Sequence, residues 1–246
     1  MISIIIASRK DPHLQQTVDD IKKNARGDYE IIVVNDDDGK LGLRAAVNKG
    51  VAQSKGEYIM KTDSHCMFDE GFDVKLLPIE DNWVVSPIRY RLDVDTWEIS
   101  KDDPRPIIYE RLVTDVPGKL GGVEWRSRKH GREDILVDEN MIFQGSCWLM
   151  SRKHWDWLGG LHEEGYGTFA NEPIEIALKT WLGGGKVMVN KKTWYAHKHR
   201  KYGRTYGAFR NNEIQNGNAY SRDYWLNNKW PERIHDFDWL MKRFGL

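Results

Sequence analysis

The N-terminal third of the chain alternates between strand-like and helix-like hydrophobic patterns. Residues 2–7 (ISIIIA) form an unbroken apolar, largely β-branched run, the pattern of a strand covered on both faces. Asp11-Pro12 then supplies an N-cap with proline at the first helical position, and Leu14, Val18 and Ile21 follow at helical spacing. "ARGDY" breaks that helix, and "EIIVVNDDDG" is a second buried strand that ends in acids. Leu43, Val47 and Val51 mark one face of a second helix, with Ala46 and Gly50 beside it. "SKGEYIMKTDSH" is a turn and a third strand. The first 66 residues therefore read β-α-β-α-β, which predicts an α/β fold with a parallel sheet flanked by helices. Right-handed crossovers place the three strand C-termini on one edge, where open α/β sheets bind ligands. Those termini all turn polar: Ala7-Ser8-Arg9, Asn35-Asp36-Asp37-Asp38 and Asp63-Ser64-His65.

The rest is less regular. Residues 82–93 read as another strand, and 94–140, with Pro104, Pro106 and Pro117, as hairpins or long loops. "MIFQGSCWLMS" (141–151) is strand-like, and "RKHWDWLGG" is a short helix with a glycine stop. Asn171-Glu172-Pro173 opens a helix with Ile174, Ala177, Leu178 and Trp181 inward, closed by "GGG", and "KVMVN" is a short strand. Pro231 opens a last helix with Ile234, Phe237, Met241 and Phe244 inward and Lys242 and Arg243 in its final turn, where they suit the helix dipole.

Composition narrows the class. With 40% apolar and 30% charged residues the chain reads as a soluble globular protein, and no run approaches the roughly 18–20 apolar residues of a membrane span. The opening apolar run is too short, and lacks the basic leader, for a secretory signal. Two cysteines, Cys66 and Cys147, make no disulfide framework, so reduced thiols and a cytoplasmic location are expected. Lys plus Arg equals Asp plus Glu, so overall charge points to no acidic partner. Eleven Trp is high for 246 residues; Trp148, Trp155, Trp157 and Trp194 are expected mainly in the core, with at most two of them at a site.

The chemistry starts at "TDSH". In an extended segment residues i and i+2 face the same way, so Asp63 and His65 can grip one ion. One carboxylate with an imidazole suits Mn²⁺, with Mg²⁺ as the alternative. The competing reading is that Asp63 caps a turn and His65 lies on the surface.

At this point the chain resembles the nucleotide-sugar-dependent glycosyltransferases of the GT-A (Rossmann-like) fold, family 2 and its relatives. The matching stretches are "ISIIIASR", "YEIIVVNDDDG" and "GLRAAVNKGVAQSKGEYIMKTDSH". "TDSHC" is similar to the Asp-Ser-His-Cys of the polypeptide N-acetylgalactosaminyltransferases. "GSCWLMSRKHWDWLGGLHEEGYGTFANEPIEIALKTWLGGGKVMVN" and "WYAHKHR" look like their later catalytic region and closing metal-ligand segment. The resemblance covers about residues 1–90 and 141–200. It implies a single GT-A domain over 1–210, with a nucleotide-binding half (1–90) and an acceptor half (91–210), and a packed helical extension over 211–246. It also implies His197 as the third metal ligand beside Asp63 and His65. Asp36 or Asp37 would contact the uracil, Ala7 and Arg9 would meet the nucleotide, and Arg44 would lie near the donor phosphates. Glu172 and Glu175 would be the acidic pair of the catalytic helix. Pro173 departs from the Glu-Asp of inverting family 2 enzymes, so the reading leans to retention of anomeric configuration, with Glu172 as a base or a ligand to sugar hydroxyls.

Transfer from a UDP-sugar to a hydroxyl builds negative charge on the departing diphosphate, and a cation with basic side chains would stabilise it. Segment 198–210, "KHRKYGRTYGAFR", carries five Lys or Arg and no acid directly after His197. It reads as a flap, with Lys201 and Arg204 closing over the diphosphate, or else as an exposed basic loop. "GVEWRSRKHGRED" (122–134) is a solvated loop or, with 198–210, a surface for an anionic acceptor such as a modified DNA base, a polysaccharide or a lipid-linked sugar. Two other functions compete. A nucleotidyltransferase needs a Gly-rich phosphate loop after the first strand, which "ASRKDPH" lacks. A non-catalytic nucleotide-sugar-binding protein is expected to have lost Asp63 or His197, and both are present.

Overall fold

A computed structural model describes residues 1–199 and 208–246. The chain runs β1 (Ile2–Ser8), α1 (Leu14–Asn24), β2 (Tyr29–Asn35), α2 (Gly42–Gln53), β3 (Tyr58–Asp63), β4 (Cys66–Phe68), α3 (Phe72–Lys75) and β5 (Trp83–Asp93). It continues through β6 (Glu98–Ile99), β7 (Glu110–Val113), β8 (Gly121–Glu124), a 3₁₀ turn (Arg126–Lys129), β9 (Val137–Glu139), β10 (Cys147–Ser151) and α4 (Arg152–Leu158). It closes with α5 (Glu172–Leu182), β11 (Lys186–His197), α6 (Ala208–Leu226) and α7 (Phe237–Arg243).

The main sheet has the order β2-β1-β3-β10-β5-β11-β4. Strand β1 pairs parallel with β2 and β3, and β5 parallel with β11, whereas β10 and β4 run antiparallel to their neighbours. The sheet is therefore mixed but mostly parallel, flanked by helices. The period of two on β1 divides the core: Ile4 and Ile6 pack with Ile21 of α1, while Ile5 packs with Val47 and Val51 of α2. Both faces are thus covered, which is why β1 carries no polar stripe.

The structure changes four local expectations. Helix α1 begins at Leu14 rather than Pro12, because the Asp11 carboxylate turns away to His65 and to the amide of His13. Only residues 147–151 of the 141–151 run form strand; Gln144 Oε1 accepts from the Ser146 amide at 2.8 Å and bends the chain across a cavity. Strand β11 runs to His197 instead of stopping near Asn190, through a register irregularity between Asn190 and Trp194. The last helix starts at Phe237, where Asp236 accepts from the Trp239 amide at 2.7 Å, so Ile234 stays outside at 70% exposure. Helix α6 has apolar residues without a helical stripe. It closes on the core through Trp225 and through Gly217, where a Cβ would strike the Tyr166 carbonyl.

Among the tryptophans, Trp148 and Trp155 are core residues stacked 5.6 Å apart, Trp157 is exposed and Trp194 is half-buried against Tyr90. The 122–134 segment spends its arginines internally. Arg126 pairs with Glu124, Arg132 with Asp138, and Arg128 lies over Trp125 and donates to the Glu139 carbonyl. No described helix is long and apolar enough to cross a membrane.

Beneath α4, His154 is buried and meets Thr180 Oγ1 at 3.0 Å. Burial lowers its pKa from 6.5 to about 4. Between those values the unfolded chain binds a proton that the folded chain refuses, so stability is full above about pH 6.5 and declines as pH falls toward 4. The expected loss from this one residue is at most about 3 kcal/mol. Urea unfolding at pH 7 and pH 4.5 checks it, since His154→Gln removes that part of the difference.

Candidate active site

The polar edge predicted from the strand ends borders a cavity of about 560 Å³. Ala7 and Arg9 follow from β1, Asp36 from β2, and Lys61, Asp63 and His65 from β3 and its turn. The opposite wall comes from Gln144 and Gly145 before β10 and from Asn171 and Glu172 at the start of α5. Ile214 and Asn218 of α6 also reach it.

At the mouth of β3, ligand atoms of Asp63, His65 and His197 all lie within 4.8 Å of one another. Long-range pairing brings them together: β11 pairs antiparallel with β4, with His197 opposite Cys66, so the strand end returns beside the Asp-x-His turn. His197 Nε2 is 3.1 Å from Asp63 Oδ2, and the two imidazole centroids are 4.8 Å apart. Burial lowers His197 to about 4 against the pull of Asp63, so its ring is neutral at physiological pH, the form that ligates metal. Its Nδ1 is buried without a hydrogen-bond partner among the described residues. One carboxylate oxygen and two imidazole nitrogens suit a first-row divalent ion better than Mg²⁺ and leave positions for ligand oxygens.

Two side chains at this site were not anticipated from the sequence. Asp11 Oδ2 sits 2.7 Å from His65 Nδ1, which leaves Nε2 as the free ring nitrogen. Burial opposes ionisation of Asp11, but the bonds from His65 and the His13 amide outweigh it and bring the carboxyl down to about 2. Lys61 is 1% exposed at the centre of the sheet. Its ammonium lies 2.6 Å from Asp63 Oδ1 and 3.5 Å from Glu172 Oε2. Burial penalises that charge, but the two carboxylates more than offset it, so the Lys61 pKa is raised. Burial likewise disfavours the Asp63 carboxylate, while Lys61 and His197 hold its pKa well below the usual range. The signal for Lys61 was present as a lysine inside an apolar strand, two residues before Asp63. Asp11 gave none, because its side chain had a satisfactory local use as a cap.

The other expected residues divide into three groups. Glu172 is at the cavity, 2% exposed, with Oε1 accepting from Trp148 Nε1 at 2.8 Å. Asp36 is also there, its two oxygens taking the amides of Leu41 and Gly42 at 2.8 and 2.9 Å and shaping the entry to α2. Asp37 is exposed and accepts the Lys10 amide at 2.9 Å, tying the ends of β1 and β2, while Arg9 lies over Gly39.

Arg44 and Glu175 do not line the cavity. The structure corrects the donor-phosphate position for Arg44 and the catalytic one for Glu175. Both are fully buried and pair with each other, and Lys179 lies 2.8 Å from Glu175 Oε1. Arg44 also donates to the carbonyls of His162 and Ala170, and Lys179 to those of Leu158 and Gly160. This ionic cluster fastens the 158–171 loop that delivers Glu172. Glu175→Ala leaves two buried cations short of their carboxylate, and a loss of about 3–5 kcal/mol is expected in urea unfolding. Lys201 and Arg204 lie outside the described residues; Lys198, before them, donates its amide to the His65 carbonyl at 3.2 Å.

Comparison with known proteins agrees with this architecture. The glycosyl transferase family 2 profile matches residues 38–158. A Drosophila melanogaster protein assigned as polypeptide N-acetylgalactosaminyltransferase 13 is 27% identical over 173 residues, which is 66% of this chain and 28% of that protein. The crystal structure of GalNAc-T7 with UDP, GalNAc and Mn²⁺ matches with a TM-score of 0.71 at 18% identity, covering 94% of this chain and 48% of that one. The mannosyltransferase PcManGT from Pyrobaculum calidifontis, in complex with GDP-Man and Mn²⁺, matches with a TM-score of 0.55 at 14% identity, covering 89% and 69%. The chain thus spans less than half the length of the first two. It has the GT-A fold, the family 2 profile matches just under half of it, and its motifs are similar to those of the polypeptide N-acetylgalactosaminyltransferases.

Proposed function

We propose that this chain transfers a sugar from a UDP-sugar to a hydroxyl acceptor, with Mn²⁺ held by Asp63, His65 and His197. The observation that carries the reading is the meeting of those three side chains at the rim of a cavity walled by three strand ends and Glu172. Ala7, Arg9 and Asp36 are where the nucleotide would lie, with Asp37 bracing the two strand ends. Lys201 and Arg204 remain part of the proposal as cations for the diphosphate. Residues 1–90 serve the donor, 91–210 the acceptor, and the 211–246 extension adds α6 to the cavity wall.

A bound Mn²⁺ would supply neutralisation of the charge that builds on the diphosphate. The bond from sugar C1 to the diphosphate oxygen breaks with its electron pair going to UDP. The acceptor oxygen bonds C1, and the acceptor proton ends on the departing diphosphate. Retention belongs to the same reading. An inverting base must face the side of the sugar opposite the leaving group, whereas Glu172 shares one ammonium with the metal ligand Asp63. Glu172 then orients the transferred sugar through its hydroxyls. The anionic acceptors are not carried forward, because Arg126, Arg128 and Arg132 are committed internally. A cytoplasmic setting is supported by Cys66 and Cys147, both buried and free.

Calorimetry across nucleotide-sugars, with and without Mn²⁺, tests the proposal. A UDP-sugar that binds only with the metal, followed by UDP release, supports it. Pyrophosphate release would favour nucleotidyl transfer, and metal-independent binding would overturn the metal assignment.

A further inference from the structure

We infer that Lys61 is a positioning residue that couples the metal ligand Asp63 to Glu172, and that it sets the affinity of the site for its divalent ion. The inference rests on the proposed metal site and adds to it a residue outside the ligand set.

Lys61 sits on β3 between β1 and β10, with Ile5 paired on one side and Trp148 paired directly across on the other. An ammonium has three protons, and here it has three partners: Asp63 Oδ1 at 2.6 Å, the Gly145 carbonyl at 2.5 Å and Glu172 Oε2 at 3.5 Å. Each carboxylate is held from its other oxygen as well. Asp63 Oδ2 faces His197, and Glu172 Oε1 takes the Trp148 indole N–H. Lys61 therefore engages one oxygen of Asp63 and leaves the other toward the metal position. It also holds Glu172 back, so that this carboxylate faces the sugar side of the cavity and does not become a further ligand.

Charge gives the inference its sign. One fixed positive charge lies within hydrogen-bond reach of a metal ligand in a nearly dry setting, so it opposes a second cation at the same carboxylate. A lysine with a purely architectural role would, when removed, distort the ligands and weaken metal binding. A lysine with the inferred role does the opposite.

The test is Mn²⁺ binding to the full chain, without donor, by calorimetry or by electron paramagnetic resonance of free Mn²⁺. Lys61→Gln is expected to bind Mn²⁺ about tenfold tighter or more. Its kcat is expected to fall while the KM for the donor changes little. Glu172→Gln, which keeps Lys61 but gives its charge wholly to Asp63, is expected to bind Mn²⁺ several-fold more weakly although residue 172 is not a ligand. This second variant carries the test if Lys61→Gln does not fold. Unchanged or weaker affinity in a folded Lys61→Gln, or unchanged affinity in Glu172→Gln, overturns the inference and leaves the metal site standing. A wild-type chain that binds no Mn²⁺ overturns the metal site, and the inference with it.

Discussion

Asp63→Ala is expected to abolish the stabilisation that Mn²⁺ and UDP together confer on the wild-type chain. A ligand present at about 100 times its Kd adds about 2.7 kcal/mol to folding stability. For a chain of this size that corresponds to a rise of about 5–10 °C in Tm. The substitution removes the only carboxylate of the ligand set and leaves two imidazoles beside the Lys61 ammonium, whose remaining counter-charge is Glu172 at 3.5 Å. A divalent ion then meets a fixed cation with no anion between them. Thermal unfolding with and without Mn²⁺ and UDP reads the effect, with the metal-free Tm of each protein as its own baseline. A variant that keeps the wild-type shift would show that Asp63 does not hold the ion.

Glu172→Gln has the second largest expected effect, and it falls on turnover. The carboxylate is 2% exposed, is held by Trp148 and Lys61, and borders the cavity. Glutamine keeps the shape and the acceptor oxygen but loses the charge that strengthens a hydrogen bond to a hydroxyl. Loss of one preorganised polar contact to the reacting sugar is expected to lower kcat about 100-fold or more. UDP affinity at saturating Mn²⁺ is expected to stay within about twofold, because UDP lacks the transferred sugar that residue 172 would meet. Unchanged kcat would remove Glu172 from the chemistry, and a matching fall in UDP affinity would move it to the nucleotide.

The two cases differ in how far the sequence led to them. Asp63 and His65 were legible because a strand has a period of two and ends where its polar residues begin, both of which are local facts. Glu172 needed the family resemblance, since a Glu before a proline at a helix start is ordinary. Its neighbour Glu175, one turn on, satisfied the same helical pattern and turned out to be internal. Helical spacing puts two residues on one face, but α5 is buried nearly all round, so a shared face did not mean a shared cavity.

Sequence alone determined the β-α-β-α-β order, the parallel pairing of its three strands, the polar edge and the paired aspartate and histidine at its tip. Each follows from spacing within about ten residues and from the handedness of short crossovers. Tertiary structure alone decided which charges face the cavity and which neutralise one another inside. It brought His197 back along β11, turned Asp11 from a cap into a partner for His65, set Lys61 between two carboxylates and withdrew Arg44 to Glu175. The physical reason is that a buried charge is tolerated only beside its counter-charge, and those counter-charges come from distant segments of the chain, as Glu172 does for Lys61 and Glu175 for Arg44.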